Sequence, residues 1–185
     1  NGLDHILSSA GQHKLTIDLD TGRTLFSFGY DQNKNLISIT DQFSNRTTVQ
    51  RDASGIPTAI TSADGLTTYL IVDADNHLTQ IAYPDSSSYN FEYTQDGLMT
   101  AKVEPEGNRF QHIFDSTGRL TDASDQEGGL WHYTRTSYPN GDIRTDVLSG
   151  EGNLTAYLDH TDSTGAYTSR ITDPSGAETV YNRSA

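Results

Sequence analysis

The sequence predicts an all-β protein, an antiparallel meander of about 16 short strands in 21-residue repeats that curves into a strip. Three observations carry this. Asp31, Asp52, Asp73, Thr94 and Asp115 stand 21 residues apart without slippage. Each is followed three residues later by Lys34, Gly55, Asn76, Gly97 or Gly118, and thirteen later by Ser44, Gly65, Ser86, Gly107 or Gly128. Between these points apolar residues alternate with period two, and none recur at helical spacing.

The turns come first in each repeat. Asp52-Ala53-Ser54-Gly55 and Asp115-Ser116-Thr117-Gly118 fit a type I turn closed by a left-handed residue, with the aspartate capping the turn amides. A second turn follows about ten residues on, as in Glu104-Pro105-Glu106-Gly107, Asp125-Gln126-Glu127-Gly128 and Asp173-Pro174-Ser175-Gly176. Two turns per repeat leave room for two strands of about six residues, the usual strand length. The structural residues of this scheme are Asp31, Asp52, Gly55, Asp73, Gly97, Gly107, Asp115, Gly118, Asp125, Gly128, Asp173 and Gly176.

The second strand of each repeat has the clearer pattern. Tyr89/Phe91/Tyr93, Phe110/His112/Phe114 and Trp131/Tyr133/Arg135 share one face, and Phe26/Phe28/Tyr30 precede them in the same register. The intervening residues, such as Ser88/Asn90/Glu92, are mostly polar. One face is therefore expected to be aromatic and the other polar, with neighbours at matching heights contributing about 0.2–1 kcal/mol per pair. The first strand is anchored by Leu36, Pro57, Leu78, Met99 and Leu120, and the proline predicts local irregularity there.

Residues 1–185 read as a single repeat region with regular units over about 10–135 and divergent, longer-loop units over 136–181. The opening Asn1-Gly2-Leu3-Asp4-His5 has no secretion signal, and the chain reads as a slice of a longer one. Twelve Lys and Arg against 25 Asp and Glu give a net charge of −13, without the basic cluster that nucleic acid or an anionic membrane would need. No apolar run approaches the ~20 residues of a membrane-spanning helix. Apolar content of 33 % is lean, but 10 Tyr, 6 Phe and a strict period argue for order. There is no cysteine, hence no disulfide framework and no thiol chemistry.

Gly29-Tyr30-Asp31, Phe114-Asp115-Ser116-Thr117-Gly118-Arg119-Leu120 and Asp173-Pro174-Ser175-Gly176 resemble the YD repeat, also called the RHS repeat. The resemblance covers about residues 10–180. It implies a β-strip that spirals into part of a hollow shell. Such shells enclose a C-terminal toxic domain in bacterial insecticidal toxin complexes and polymorphic toxins, and serve cell-surface adhesion in animal teneurins. The function it implies is structural: a piece of the wall around a toxin or other cargo. Its partners would be the rest of its own longer shell and that cargo, secreted or at a cell surface, in a bacterium. Open sheet edges would also invite self-association.

No enzyme chemistry is expected. The family's Asp-dependent self-cleavage centre has no match here, since Asp173-Pro174-Ser175-Gly176 reads as a repeat turn followed by Thr179-Val180-Tyr181. No nucleophile elbow, phosphate loop or zinc-protease motif is present either. No catalytic, metal-binding or cofactor-binding residues are accordingly expected. Asp18-Leu19-Asp20-Thr21-Gly22 and Asp73-Ala74-Asp75-Asn76 alternate oxygen donors as calcium loops do, but lack the downstream acid and read as turn caps. The histidines at 5, 13, 77, 112, 132 and 160 read as surface or packing residues, with His112 and His132 facing opposite ways. The aromatic face, comprising Tyr30, Tyr89, Phe91, Tyr93, Phe110, Phe114, Trp131 and Tyr133, reads first as packing. Its alternative use is as a platform for sugar rings in a carbohydrate-binding or adhesive module.

Overall fold

Among the described residues, sixteen with left-handed backbone punctuate the chain: twelve glycines together with Lys34, Ser44, Asn76 and Ser86. All but Gly22, whose turn is one residue longer, close a turn of one design. In the Asp52 turn, Gly55 N–H donates to the Asp52 carbonyl at 3.0 Å and Asp52 N–H donates to the Ile56 carbonyl at 3.0 Å. The Asp52 carboxylate accepts from the amides of Ser54 and Ile56 at 2.9 and 3.0 Å. The same two side-chain bonds recur at Asp41, Asp73, Asp115, Asp125, Asp162 and Asp173. The amides that a tight turn exposes are thus satisfied within four residues of sequence.

The computed structural model describes residues 2–184; Asn1 and Ala185, part of the repeat region expected from sequence, lie outside the described residues. Seventeen strands result, against the 16 or so expected, and no helix occurs among the described residues. The extra strand is β1, which lies ahead of the first copy seen in the sequence. Among the described residues, no helix is long and apolar enough to cross a membrane.

Contacts gather into two units, divided between Phe91 and Glu92. The first holds β1 (Leu3–Leu7), β2 (His13–Asp18), β3 (Thr24–Tyr30), β4 (Leu36–Asp41), β5 (Arg46–Arg51), β6 (Pro57–Thr61), β7 (Thr67–Val72) and β8 (Leu78–Ala82), and the division falls within β9 (Ser88–Tyr93). The second holds β10 (Met99–Val103), β11 (Arg109–Phe114), β12 (Leu120–Ser124), β13 (Leu130–Ser137), β14 (Ile143–Ser149), β15 (Leu154–Thr161), β16 (Tyr167–Thr172) and β17 (Glu178–Arg183). Within each unit every strand pairs antiparallel with its neighbours in sequence. The sheet is open. Among the described residues, β1 pairs only with β2 and β17 only with β16, and every residue of both end strands is exposed.

The irregularity expected at Pro57 is a shared feature of the repeat. Register shifts leave Ile37, Thr58, Thr79 and Thr121 without a cross-strand partner, one residue after Leu36, Pro57, Leu78 and Leu120. At Thr79 and Thr121 the side-chain hydroxyl donates to the carbonyl of Ile71 or Ile113, at 3.1 and 3.2 Å. Such a bulge bends the strand and sharpens its twist once per repeat.

No large side chain is fully buried among the described residues. The residues that are buried are small: Ala59 and Ala101 at 1 % and 0 % exposure, with Ser38 and Thr16 at 6 % and 5 %. Ser38, Ala59 and Ala101 share one register position. They lie on the face opposite the aromatic residues, between partners such as Gln50 and Tyr69 around Ala59. A single layer cannot enclose a large side chain, but larger neighbours can cover a methyl or a hydroxyl.

Candidate functional site

The aromatic face is the surface on which a site could form. Its cross-strand pairs are mainly apolar: Phe28 faces Ile39, Val49 faces Ile60, and Ile81 lies between Leu70 and Tyr89. In the second unit Trp131 lies between Ala123 and Ser149, and Tyr133 faces Val147. Tyr30, Tyr89, Phe91, Tyr93, Phe110, Phe114, Trp131 and Tyr133 are all half-buried. The ammonium of Lys102 sits 4.3 Å from the Phe110 ring centre, a cation–π contact.

The opposite face is less polar than its alternation predicts. Tyr69 and Ile113 project from it at 57 % and 59 % exposure. That face also carries Glu92 and Arg109, paired through two hydrogen bonds of 2.7 and 2.8 Å.

A concavity of about 790 Å³ lies in the second unit, where Trp131 and Tyr157 are joined by Asp125, Glu127, Glu151 and Asn153. Gly129 makes room for the indole: a Cβ there would come within 2.9 Å of the Trp131 ring. A flat ring beside carboxylate and amide groups can stack on a pyranose and bond its hydroxyls. A second groove of about 590 Å³ includes His112, Phe114 and Asp122. The Nδ1 of His112 is buried there without a hydrogen-bond partner.

The predicted turn residues lie along the turns at the strand ends. Gly55, Gly97, Gly107, Gly118, Gly128 and Gly176 have φ between +80° and +87°. The Thr117 hydroxyl, then the amides of Arg119 and Thr117, hold the Asp115 carboxyl below the usual aspartate range. At Asp73 the His77 amide is the main cause of the same lowering, and at Asp31 it is the Asn35 side chain. The carboxylates of the calcium-like runs accept from turn amides as well. Asp18 accepts from the amides of Asp20 and Thr21, both at 2.9 Å, and Asp73 from those of Asp75 and His77, both at 2.9 Å.

His112 and His132 do face opposite ways, the first paired with Ala123 and the second with Asp122. His132 bonds Asp122 at 2.8 Å and His160 bonds Asp142 at 2.5 Å. Two features escaped the sequence reading. One is the buried column of Ser38 and Ala59, visible as small residues 21 apart once repeats are aligned. The other is the approach of His5 to His13.

A chain made of Asp-capped two-strand units, paired in sequence order and open at both end strands, is a repeat-built β-wall. The family model described as "Teneurin YD-shell" matches residues 5–172, and the chain belongs to that family. It is similar to Teneurin-3 of Mus musculus, 26 % identical over 121 residues, covering 65 % of this chain and 4 % of that protein. It is also similar to Teneurin-m of Drosophila melanogaster, 28 % over 123 residues, covering 64 % and 4 %. Teneurin-1 of Caenorhabditis elegans is 24 % identical over 204 residues, covering 95 % of this chain and 7 % of its own. The chain thus spans only a small part of the length of these relatives. Among solved structures, the crystal structure of TcdB2-TccC3 aligns at TM-score 0.43 and 12 % identity, covering 98 % of this chain and 14 % of that one. The Photorhabdus luminescens Tc holotoxin pore aligns at TM-score 0.43 and 11 % identity, covering 98 % and 14 %.

Proposed function

We propose that this chain is a segment of shell wall, one continuous repeat region whose task is to enclose a toxin or other cargo and not to catalyse a reaction. The observation that carries this reading is the open meander. β1 and β17 expose every residue, including Leu3, Leu7 and Tyr181 at 55–59 % exposure. Unpaired strand edges with apolar side chains are poorly suited to a free-standing module and well suited to continuation into further repeats. Its partners are then the flanking repeats of a longer chain and the enclosed cargo, in a secreted or surface-borne protein of bacterial type. The acidic balance of the sequence favours solubility of such a wall.

Light scattering across a concentration series tests this. Association that grows with concentration, and that weakens when Ile6→Lys and Val180→Lys place charge on the end strands, is the expected result. A strict monomer at every concentration, indifferent to both substitutions, would count against it.

A second reading, sugar binding, is favoured by the Trp131–Tyr157 groove with its flanking carboxylates. A glycan array whose hits are lost in Trp131→Ala would support it, and an array without hits would remove it.

A further inference from the structure

At the start of the first unit, two imidazoles meet where the next three repeats carry apolar contacts. The Nδ1 of His5 lies 3.3 Å from the Nε2 of His13. The Thr16 hydroxyl lies 3.0 Å from His13 Nε2 and 3.5 Å from His5 Nδ1. The Leu15 carbonyl lies 3.0 Å from the same Nε2. The two nitrogens and the Thr16 hydroxyl lie within 3.5 Å of one another, with the Leu15 carbonyl beside His13 Nε2, next to Phe28, on which the His13 ring stacks at 4.1 Å.

The backbone arranges this meeting. His5 pairs with Thr16 and Leu7 with His13, while the register skips Lys14 between His13 and Leu15. Without that bulge, His13 and Thr16 would project from opposite faces, because side chains alternate along a strand. With it, His13 is turned onto the face of His5 and Thr16, a use of bulges that recurs beside functional sites. The Tyr30 hydroxyl holds this stretch from β3 by donating to the His13 carbonyl at 2.9 Å.

Later repeats show what this place ordinarily holds. The register equivalents of His5, Thr16 and His13 are Phe28, Ile39 and Leu36, then Val49, Ile60 and Pro57, then Leu70, Ile81 and Leu78. In β11 and β12 the equivalents are His112, Ala123 and Leu120, so an imidazole recurs at the His5 position, but the full set of His, Thr and His occurs in the first alone of these five repeats. Thr16 is also one of only two buried polar residues among those described. A structural role in the sheet requires none of these changes.

We propose that His5 and His13, supported by the Thr16 hydroxyl and the Leu15 carbonyl, bind a late first-row divalent cation such as Zn²⁺ or Cu²⁺. Imidazole nitrogens suit these ions. Two nitrogens each about 2.0–2.1 Å from a tetrahedral zinc stand about 3.3–3.4 Å apart, which the observed separation matches without rearrangement. The Thr16 hydroxyl lies within 3.5 Å of both nitrogens and the Leu15 carbonyl 3.0 Å from one of them, so oxygen or water completes the shell. The bound ion would cross-link exposed β1 to β2 and fasten the open edge of the first unit.

The test is isothermal titration of the whole chain with Zn²⁺ alone and Cu²⁺ alone, followed by hydrogen exchange of the β1 amides with and without metal. The variants are His5→Phe and His13→Leu, each restoring the residue of the next repeat, so both are expected to fold. Asp73, Asp75 and His77 also gather potential ligand atoms within 4.8 Å, so His77→Ala serves as the control for that cluster. The expected result is one equivalent bound by the wild type, slower β1 exchange on binding, and affinity lowered about tenfold or more in each of the two edge variants. His77→Ala should leave that affinity unchanged. No binding, or binding that survives both edge variants, would overturn the proposal and leave the histidines as a hydrogen-bonded pair.

Discussion

Arg109 on β11 and Glu92 on β9 form a two-pronged ion pair, with nitrogen–oxygen distances of 2.8 and 2.7 Å, on the same face as fully buried Ala101 of the intervening β10. The bonds from Arg109 hold the Glu92 carboxyl below its usual range. Both side chains are well exposed, at 40 % and 53 %, so solvent screens the attraction heavily. A double-mutant cycle with Glu92→Gln and Arg109→Gln should show a small positive coupling at low salt that vanishes near 1 M, where the screening length falls to about 3 Å. Coupling that persists at 1 M salt would mean the pair is far drier than this geometry allows.

Ala101 itself should be intolerant of growth. At 0 % exposure between strands it has no free volume, so Ala101→Leu should destabilise by roughly 1–3 kcal/mol through forced movement of its neighbours. The same change at Thr136, exposed opposite Arg144, should be nearly neutral in urea unfolding, because the added side chain can extend into solvent.

Acid should loosen the turns. Asp31, Asp73, Asp115 and Asp173 all titrate below the ordinary aspartate value of 3.8, because amides and side-chain donors bond their charged form. A lowered folded value means stability that is fully present above pH 3.8 and lost as pH falls through the lower folded values. Circular dichroism should therefore show unfolding that steepens below that point. Asp115→Asn with Asp173→Asn keeps an oxygen acceptor at each cap and should flatten the acid limb. An unchanged limb would show that other groups drive acid unfolding.

The four non-glycine residues in the left-handed region carry a backbone cost that glycine avoids. Lys34 has φ +68°, so Lys34→Gly should raise stability, by up to about 1 kcal/mol after glycine's greater unfolded entropy is counted. Gly118→Ala, at φ +80°, should lower it by about 1–2 kcal/mol. Thermal melts of the two variants should move in opposite directions.

The turns were legible because they are local. Asp52 and Gly55 form their turn from four consecutive residues, and the pattern survives wherever the 21-residue period does. The aromatic alternation was legible for the same reason. What escaped notice depends on register between strands. Ser38, Ala59 and Ala101 are buried by what lies across from them, which composition does not reveal. His13 reaches His5 only because a bulge at Lys14 reverses its side, and simple alternation cannot anticipate that. The bulge at Pro57 was foreseen from one proline, yet Ile37, Thr79 and Thr121 show that proline is not its cause.

The central claim, that this is wall material meant to continue at both end strands, is tested most directly by strand-resolved hydrogen exchange on the isolated chain. Interior strands such as β4 to β7 and β12 to β15 should be strongly protected, while amides of β1 and β17 exchange on the order of a hundredfold faster. Equal protection of β1, β17 and the interior in a monomer would mean that the edges are satisfied within the chain, and the wall reading would be wrong.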